Sequence, residues 1–137
     1  MNNDLAELIK YTKNLKILFI EDNKEVRNQL IKFLNNFFLD IDVACDGSDA
    51  LDIYINNNHQ YDLIITDISM PKLDGIEFSK KVKDLNKEQT ILIISAHTET
   101  DKLNTLRQLG VFDIIQKPVG YEKLIEVLGS VRKSVSV

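Results

Sequence analysis

The stretch YDLIITDISMPKLDG, Tyr61 to Gly75, decides how the rest of the chain is read. Leu63 to Thr66 is a continuous apolar and β-branched run, and the chain breaks straight after it, at Met70-Pro71 and again at Asp74-Gly75. A run this short with no polar alternation suits a strand buried on both faces, as in a parallel sheet covered by helices. At its end stands a bare carboxylate, Asp67, which is a helix cap, a turn residue or a working acid.

The same pattern recurs along the chain. KILFI (Lys16 to Ile20) and ILII (Ile91 to Ile94) are further continuous apolar runs, and IDVA (Ile41 to Ala44) and FDIIQ (Phe112 to Gln116) fall where the alternation needs strands. Between and after them lie amphipathic segments. Val26, Leu30, Phe33, Leu34 and Phe37 form the stripe of a first helix, and a shorter second runs from about Ser48 to Asn57 and closes at NNNH. A third starts after Asp74 with Ile76, Val82 and Leu85 inward. Leu103, Leu106 and Leu109 mark the fourth before a C-capping Gly110, and Leu124, Leu128 and Val131 mark the fifth. Strands alternating with helices in this way predict an α/β fold: an open parallel sheet with helices on both faces. Residues 1–14 read as an N-terminal extension, and NDLAELIKYTKNL ahead of the first strand as a helix with Leu5, Leu8, Ile9 and Leu15 as its apolar positions, either a packing cap or the remnant of a linker from a neighbouring domain. Residues 15–133 form the domain proper and 134–137 a tail.

A chain of 137 residues makes one domain with one core. No apolar run approaches the roughly 20 residues that span a bilayer, so no membrane span is expected. The start lacks the apolar core of a secretory signal, which predicts a cytoplasmic protein. The single cysteine, Cys45, excludes an internal disulfide and a cysteine metal site and is expected as a small buried thiol. His59, with no His or Cys nearby in sequence, is assigned no role. Seventeen Lys and Arg against 21 Asp and Glu give a net charge of −4, and the one lysine-rich segment, KKVKDLNK, reads as a solvated helix face. Direct nucleic-acid binding is not expected.

The polar residues fall in a telling place. The first strand runs into Glu21-Asp22, the third into Asp67, the fourth into Ser95 and the fifth into Lys117. In a parallel sheet with right-handed crossovers these carboxyl ends share one edge, where ligands bind. Three carboxylates converging there repel one another and call for a cation. Magnesium fits, because it takes carboxylate oxygens, keeps waters and accepts the rest from phosphate. Lys117 offers a point charge and Ser95 a hydroxyl to phosphoryl oxygens. Singly, Glu21-Asp22 could cap a helix, Asp67 and Ser95 could start turns and Lys117 could be a surface residue before Pro118; jointly they describe a phosphoryl-handling site.

The segments FIEDN, ITDISMPKLDG, IISAH and QKPV, in that order, resemble the receiver domain of two-component response regulators of the chemotaxis-regulator type, over about Leu15 to Lys133. The resemblance implies a flavodoxin-like, doubly wound, five-stranded parallel sheet of order 2-1-3-4-5. It implies that Asp67 is the phosphoacceptor, served by a sensor histidine kinase or a histidine phosphotransfer protein. It further implies a magnesium ion bound by Asp22, Asp67 and the backbone carbonyl of Ser69, with Glu21 acting through a water. Lys117 and Ser95 would meet the phosphoryl oxygens, and a cis bond would join Lys117 to Pro118. Signal would leave through the fourth and fifth helices and the fifth strand, to an output domain or a second copy. Ser95 and Ile114 hold the switch positions, but Ile114 stands where the family usually carries Tyr or Phe, which puts the usual ring rotation in doubt. Ser69 and His97 stand at positions that tune loss of the phosphoryl group.

Such a chain is a phosphoacceptor switch more than an enzyme. An aspartyl-phosphate phosphatase, the enzymatic rival, would want a second Asp two residues after the nucleophile, where this chain has Ser69. A flavin-binding domain would want a small-residue phosphate loop after the first strand, where EDNKE would repel it. A structural receiver that has lost phosphorylation is disfavoured by the presence of every acceptor-site residue. Nothing resembling an output segment follows Val137, which predicts a stand-alone regulator or a piece of a longer protein.

Overall fold

The computed structural model of the protein describes residues 2–96 and 99–135. A five-stranded parallel sheet of order β2-β1-β3-β4-β5 forms its centre. The strands are β1 (Lys16–Ile20), β2 (Asp40–Ala44), β3 (Leu63–Thr66), β4 (Ile91–Ser95) and β5 (Asp113–Gln116). The helices are α1 (Asn2–Thr12), α2 (Lys24–Leu34), α3 (Gly47–Asn56), α4 (Gly75–Leu85), α5 (Thr100–Gln108) and α6 (Tyr121–Val135). This is the flavodoxin-like doubly wound fold expected from the sequence, with α2 to α6 following the five strands in turn.

The central strands are apolar except at their ends, Lys16, Thr66 and Ser95, because both faces are covered. Successive side chains alternate across a strand, so Ile17, Phe19, Ile65 and Ile94 pack on one side with Leu30, Phe33 and Leu34 of α2 and Leu124 and Leu128 of α6. Leu18, Ile20, Ile64 and Ile93 pack on the other side with Tyr54 of α3, Phe78 and Val82 of α4 and Leu106 of α5. The register Ile20↔Thr66 brings the carboxyl ends of β1 and β3 level, and Thr66↔Ile93 carries β4 two residues further, to Ser95. Short turns then start the helices. Asn23, Asp46 and Asp74 accept the amides of Val26, Asp49 and Glu77 at 3.0, 2.8 and 2.8 Å, each satisfying an otherwise orphaned donor.

The structure departs from the sequence reading at several places. Phe37 is buried, but α2 ends at Leu34 and Phe37 enters the core from the following turn. Leu85 lies 45% exposed at the end of α4, whose inward face is carried by Phe78, Ser79 and Val82. Leu5 is 39% exposed, so α1 is anchored by Leu8 and the partly buried Ile9, while the partly buried Leu15 lies beyond its end at Thr12. β2 begins one residue earlier than expected, at Asp40, and β5 begins at Asp113, after Phe112. Cys45 is exposed, because it follows the last residue of an edge strand. Lys83 does not simply lie on a solvated face: its ammonium donates to the carbonyls of Lys87 and Gln89 at 3.1 and 2.7 Å, closing the turn after α4. His59 stacks on Tyr54 at 5.1 Å between ring centres. Among the described residues no helix is long and apolar enough to cross a membrane.

Candidate functional site

Each polar residue at the carboxyl edge is delivered by the end of a strand. Glu21 extends β1 by one step, its amide donating to the Ala44 carbonyl at 3.2 Å, and its side chain is 2% exposed. Its Oε2 accepts the Asn23 amide at 3.1 Å and its Oε1 accepts from Lys117 Nζ at 2.9 Å. Asp67, 7% exposed after β3, accepts the Ile68 amide on Oδ1 at 2.7 Å and Lys117 Nζ on Oδ2 at 2.8 Å. Lys117 follows β5, its amide donating to the Ser95 carbonyl at 2.8 Å, and its bond to Pro118 is cis. Ser95 is buried at the end of β4, paired with Gln116. Asp22 stands exposed at the rim.

The three carboxylates come together: Glu21, Asp22 and Asp67 each offer an oxygen, all within 4.8 Å of one another. Their mutual repulsion is partly answered inside the chain, because the Lys117 ammonium lies between two of them. Burial pushes the Glu21 carboxyl up from its ordinary range, and Lys117 and the Asn23 amide offset this only in part. Burial by itself would lower Lys117, but its bonds to Asp67 and Glu21 outweigh that and hold it above the usual lysine value. The ammonium therefore stays charged. A group of hard oxygen donors with one exposed member fits magnesium, which prefers carboxylates and retains waters.

Further residues, unread from the sequence, build the frame. Arg27 donates to the carbonyls of Glu21 and Asp22 at 2.9 and 3.4 Å from the first turn of α2. Thr66 Oγ1 donates to the Asp67 carbonyl at 3.0 Å. Gly75 lies so close to that same carbonyl that a Cβ would come within 2.1 Å of its oxygen. Asp-Gly after the loop was legible as a helix start; the close approach that requires the glycine is set by tertiary packing. Ile114 is paired with Ile93 and packed partly buried on the α3–α5 side of the sheet. Ser69 lies in the loop after Asp67, and His97 falls outside the described residues.

A doubly wound parallel sheet whose carboxyl edge gathers acids around a charged lysine defines a class of phosphoryl-handling α/β domains. The profile of the response regulator receiver domain matches residues 17–129. The chemotaxis protein CheY of Treponema pallidum is 31% identical over 119 residues, covering 86% of this chain and 83% of that protein. The transcriptional regulatory protein DltR of Streptococcus agalactiae is 32% identical over 112 residues, 81% of this chain but 49% of that protein, so the chain spans about half the length of DltR. The CheX–CheY–BeF3–Mg2+ complex of Borrelia burgdorferi contains a chain that superposes with a TM-score of 0.79 at 28% identity, covering 86% of this chain and 89% of that one. The chain belongs to the response regulator receiver domain family, whose general function is that of a phosphoacceptor switch.

Proposed function

We propose that Asp67 is the phosphoacceptor and that the surrounding residues act in a magnesium-dependent phosphoryl transfer. The observation that carries this is the setting of the Asp67 carboxylate: buried, oriented by the Ile68 amide and Lys117, and within 4.8 Å of two other acids. An Asp67 oxygen attacks the phosphorus of a phosphohistidine. The new P–O bond forms as the P–N bond breaks, and the electron pair leaves with the imidazole, which takes up a proton. Lys117 exchanges its bond to Asp67 for one to a phosphoryl oxygen, and the Ser95 hydroxyl donates to another; both stabilise charge without covalent chemistry. Asp22, Asp67 and the Ser69 carbonyl would hold magnesium, with Glu21 reaching it through a water. Magnesium, when bound, supplies positive charge that offsets the phosphoryl oxygens.

The donor would be a sensor histidine kinase or a histidine phosphotransfer protein in the cytoplasm. The chain would catalyse only its own phosphorylation and slow hydrolysis, and the surface of α5, β5 and α6 would pass the signal to an output domain or a second copy. Residues 15–133 would form the working domain. The test of the metal reading is the shift in urea midpoint on adding magnesium chloride. A ligand at one hundred times its Kd should stabilise the wild type by about 2.7 kcal/mol. The shift should vanish in Asp22→Asn; an undiminished shift in the variant overturns the ligand assignment.

A further inference from the structure

The loop between Asp67 and α4 is gripped at two carbonyls, and each grip depends on a glycine. At its near end the Asp67 carbonyl lies against Gly75, whose amide donates back to the Ile68 carbonyl at 2.7 Å. At its far end the Leu73 carbonyl lies against Gly47, the buried first residue of α3. A Cβ on Gly47 would come within 1.9 Å of the Leu73 oxygen and 2.8 Å of its carbonyl carbon. These are backbone atoms, so no side-chain rotation relieves the contact. The same two segments meet again where Lys72 Nζ approaches Asp46 Oδ2 at 3.7 Å, Asp46 being the N-cap of α3. The Leu73 side chain packs partly buried in the core beneath α3 and α4. By contrast, Cβ atoms on Gly120 and Gly129 would meet nothing within 4 Å.

We propose that Gly47, which belongs to no strand end and offers no ligand atom, is a positioning residue for the magnesium site: by seating the Leu73 carbonyl against α3 it holds the Ile68–Leu73 loop, and with it the Ser69 carbonyl, in place beside Asp67. The inference rests on the magnesium reading given above. Groups that orient metal ligands from outside the coordination shell are worth about 10- to 100-fold in metal affinity. Gly47→Ala forces the loop outward and should weaken binding by about that factor.

The test is a titration of the full chain with magnesium chloride, read by amide NMR shifts, at a temperature where every variant is folded. Gly129→Ala should bind as wild type does. Leu124→Ala, a cavity on the opposite face of the sheet, should lower the urea midpoint and leave magnesium affinity alone, which separates positioning from general loosening. Gly47→Ala should weaken affinity and displace the amides of Ile68 to Leu73 before any metal is added. Should Gly47→Ala not fold, Leu73→Ala, which removes the loop's apolar anchor, should weaken binding in its place. Wild type and the Gly47 variant binding alike would overturn the positioning role alone. A wild type that shows no saturable binding would overturn the metal reading and this inference with it.

Discussion

At the scale of single residues, Lys117 supplies from within the chain part of the positive charge that the convergence of Glu21, Asp22 and Asp67 calls for. The sequence placed all four side chains on one edge, yet it could not reveal that the lysine bonds two of the acids at once, at 2.9 and 2.8 Å. That arrangement depends on how far β5 carries Lys117 past Ser95, a matter of register. Ser79 shows the opposite case. It is fully buried in α4, and its Oγ is the single buried side-chain oxygen or nitrogen without a hydrogen-bond partner among the described residues. A buried hydroxyl left without a partner costs desolvation energy and returns nothing, whereas alanine keeps the helix and loses little contact. Ser79→Ala should therefore leave the urea midpoint unchanged or raise stability by about 1 kcal/mol; a loss of comparable size would show that the hydroxyl is satisfied.

At the scale of elements, the three central strands were legible because burial on both faces writes a continuous apolar run, and the start of α4 because Asp74 directly precedes it. Positions where tertiary packing overrides periodicity were not legible. Phe37 keeps the helical spacing of Phe33 but reaches the core from a turn, and Leu85 keeps the spacing of Val82 but meets solvent where α4 ends. Cys45 was misread because residue type favours burial while its place beside an edge strand decides otherwise. On the proposed route of the signal from the site to α5 stands Ile114. It is β-branched, with a stiff χ1, and packs on the same side of the sheet as Leu103 and Leu106 of α5. Ring rotation is not available to it, so phosphorylation should bias a pre-existing equilibrium of α5 instead. Methyl NMR of the free chain and of its beryllofluoride–magnesium complex, in which the fluorides stand in for phosphoryl oxygens, should show shifts at Leu103 and Leu106 with the χ1 of Ile114 unchanged. A change of rotamer at Ile114, or silence throughout α5, would contradict this.

At the scale of the whole molecule, α1 lies outside the matched receiver segment, residues 17–129, yet it is tied into the core. Leu8 is 4% exposed among the side chains packed by α2 and α6, Thr12 Oγ1 donates to the Phe37 carbonyl at 2.6 Å, and Glu7 approaches Arg132 at 4.0 Å. Leu8→Ala should accordingly cost about 2 to 5 kcal/mol in denaturant unfolding, the range for a buried leucine, while a loosely attached extension would lose less than about 0.5 kcal/mol. The sheet order, the two-sided core and the convergence at the carboxyl edge all serve the setting of one carboxylate. The most direct test of that claim is intact-mass spectrometry after incubation with acetyl phosphate and magnesium chloride. Wild type should gain a single phosphoryl group and Asp67→Asn none; equal labelling of the two would contradict the assignment of Asp67 as the acceptor.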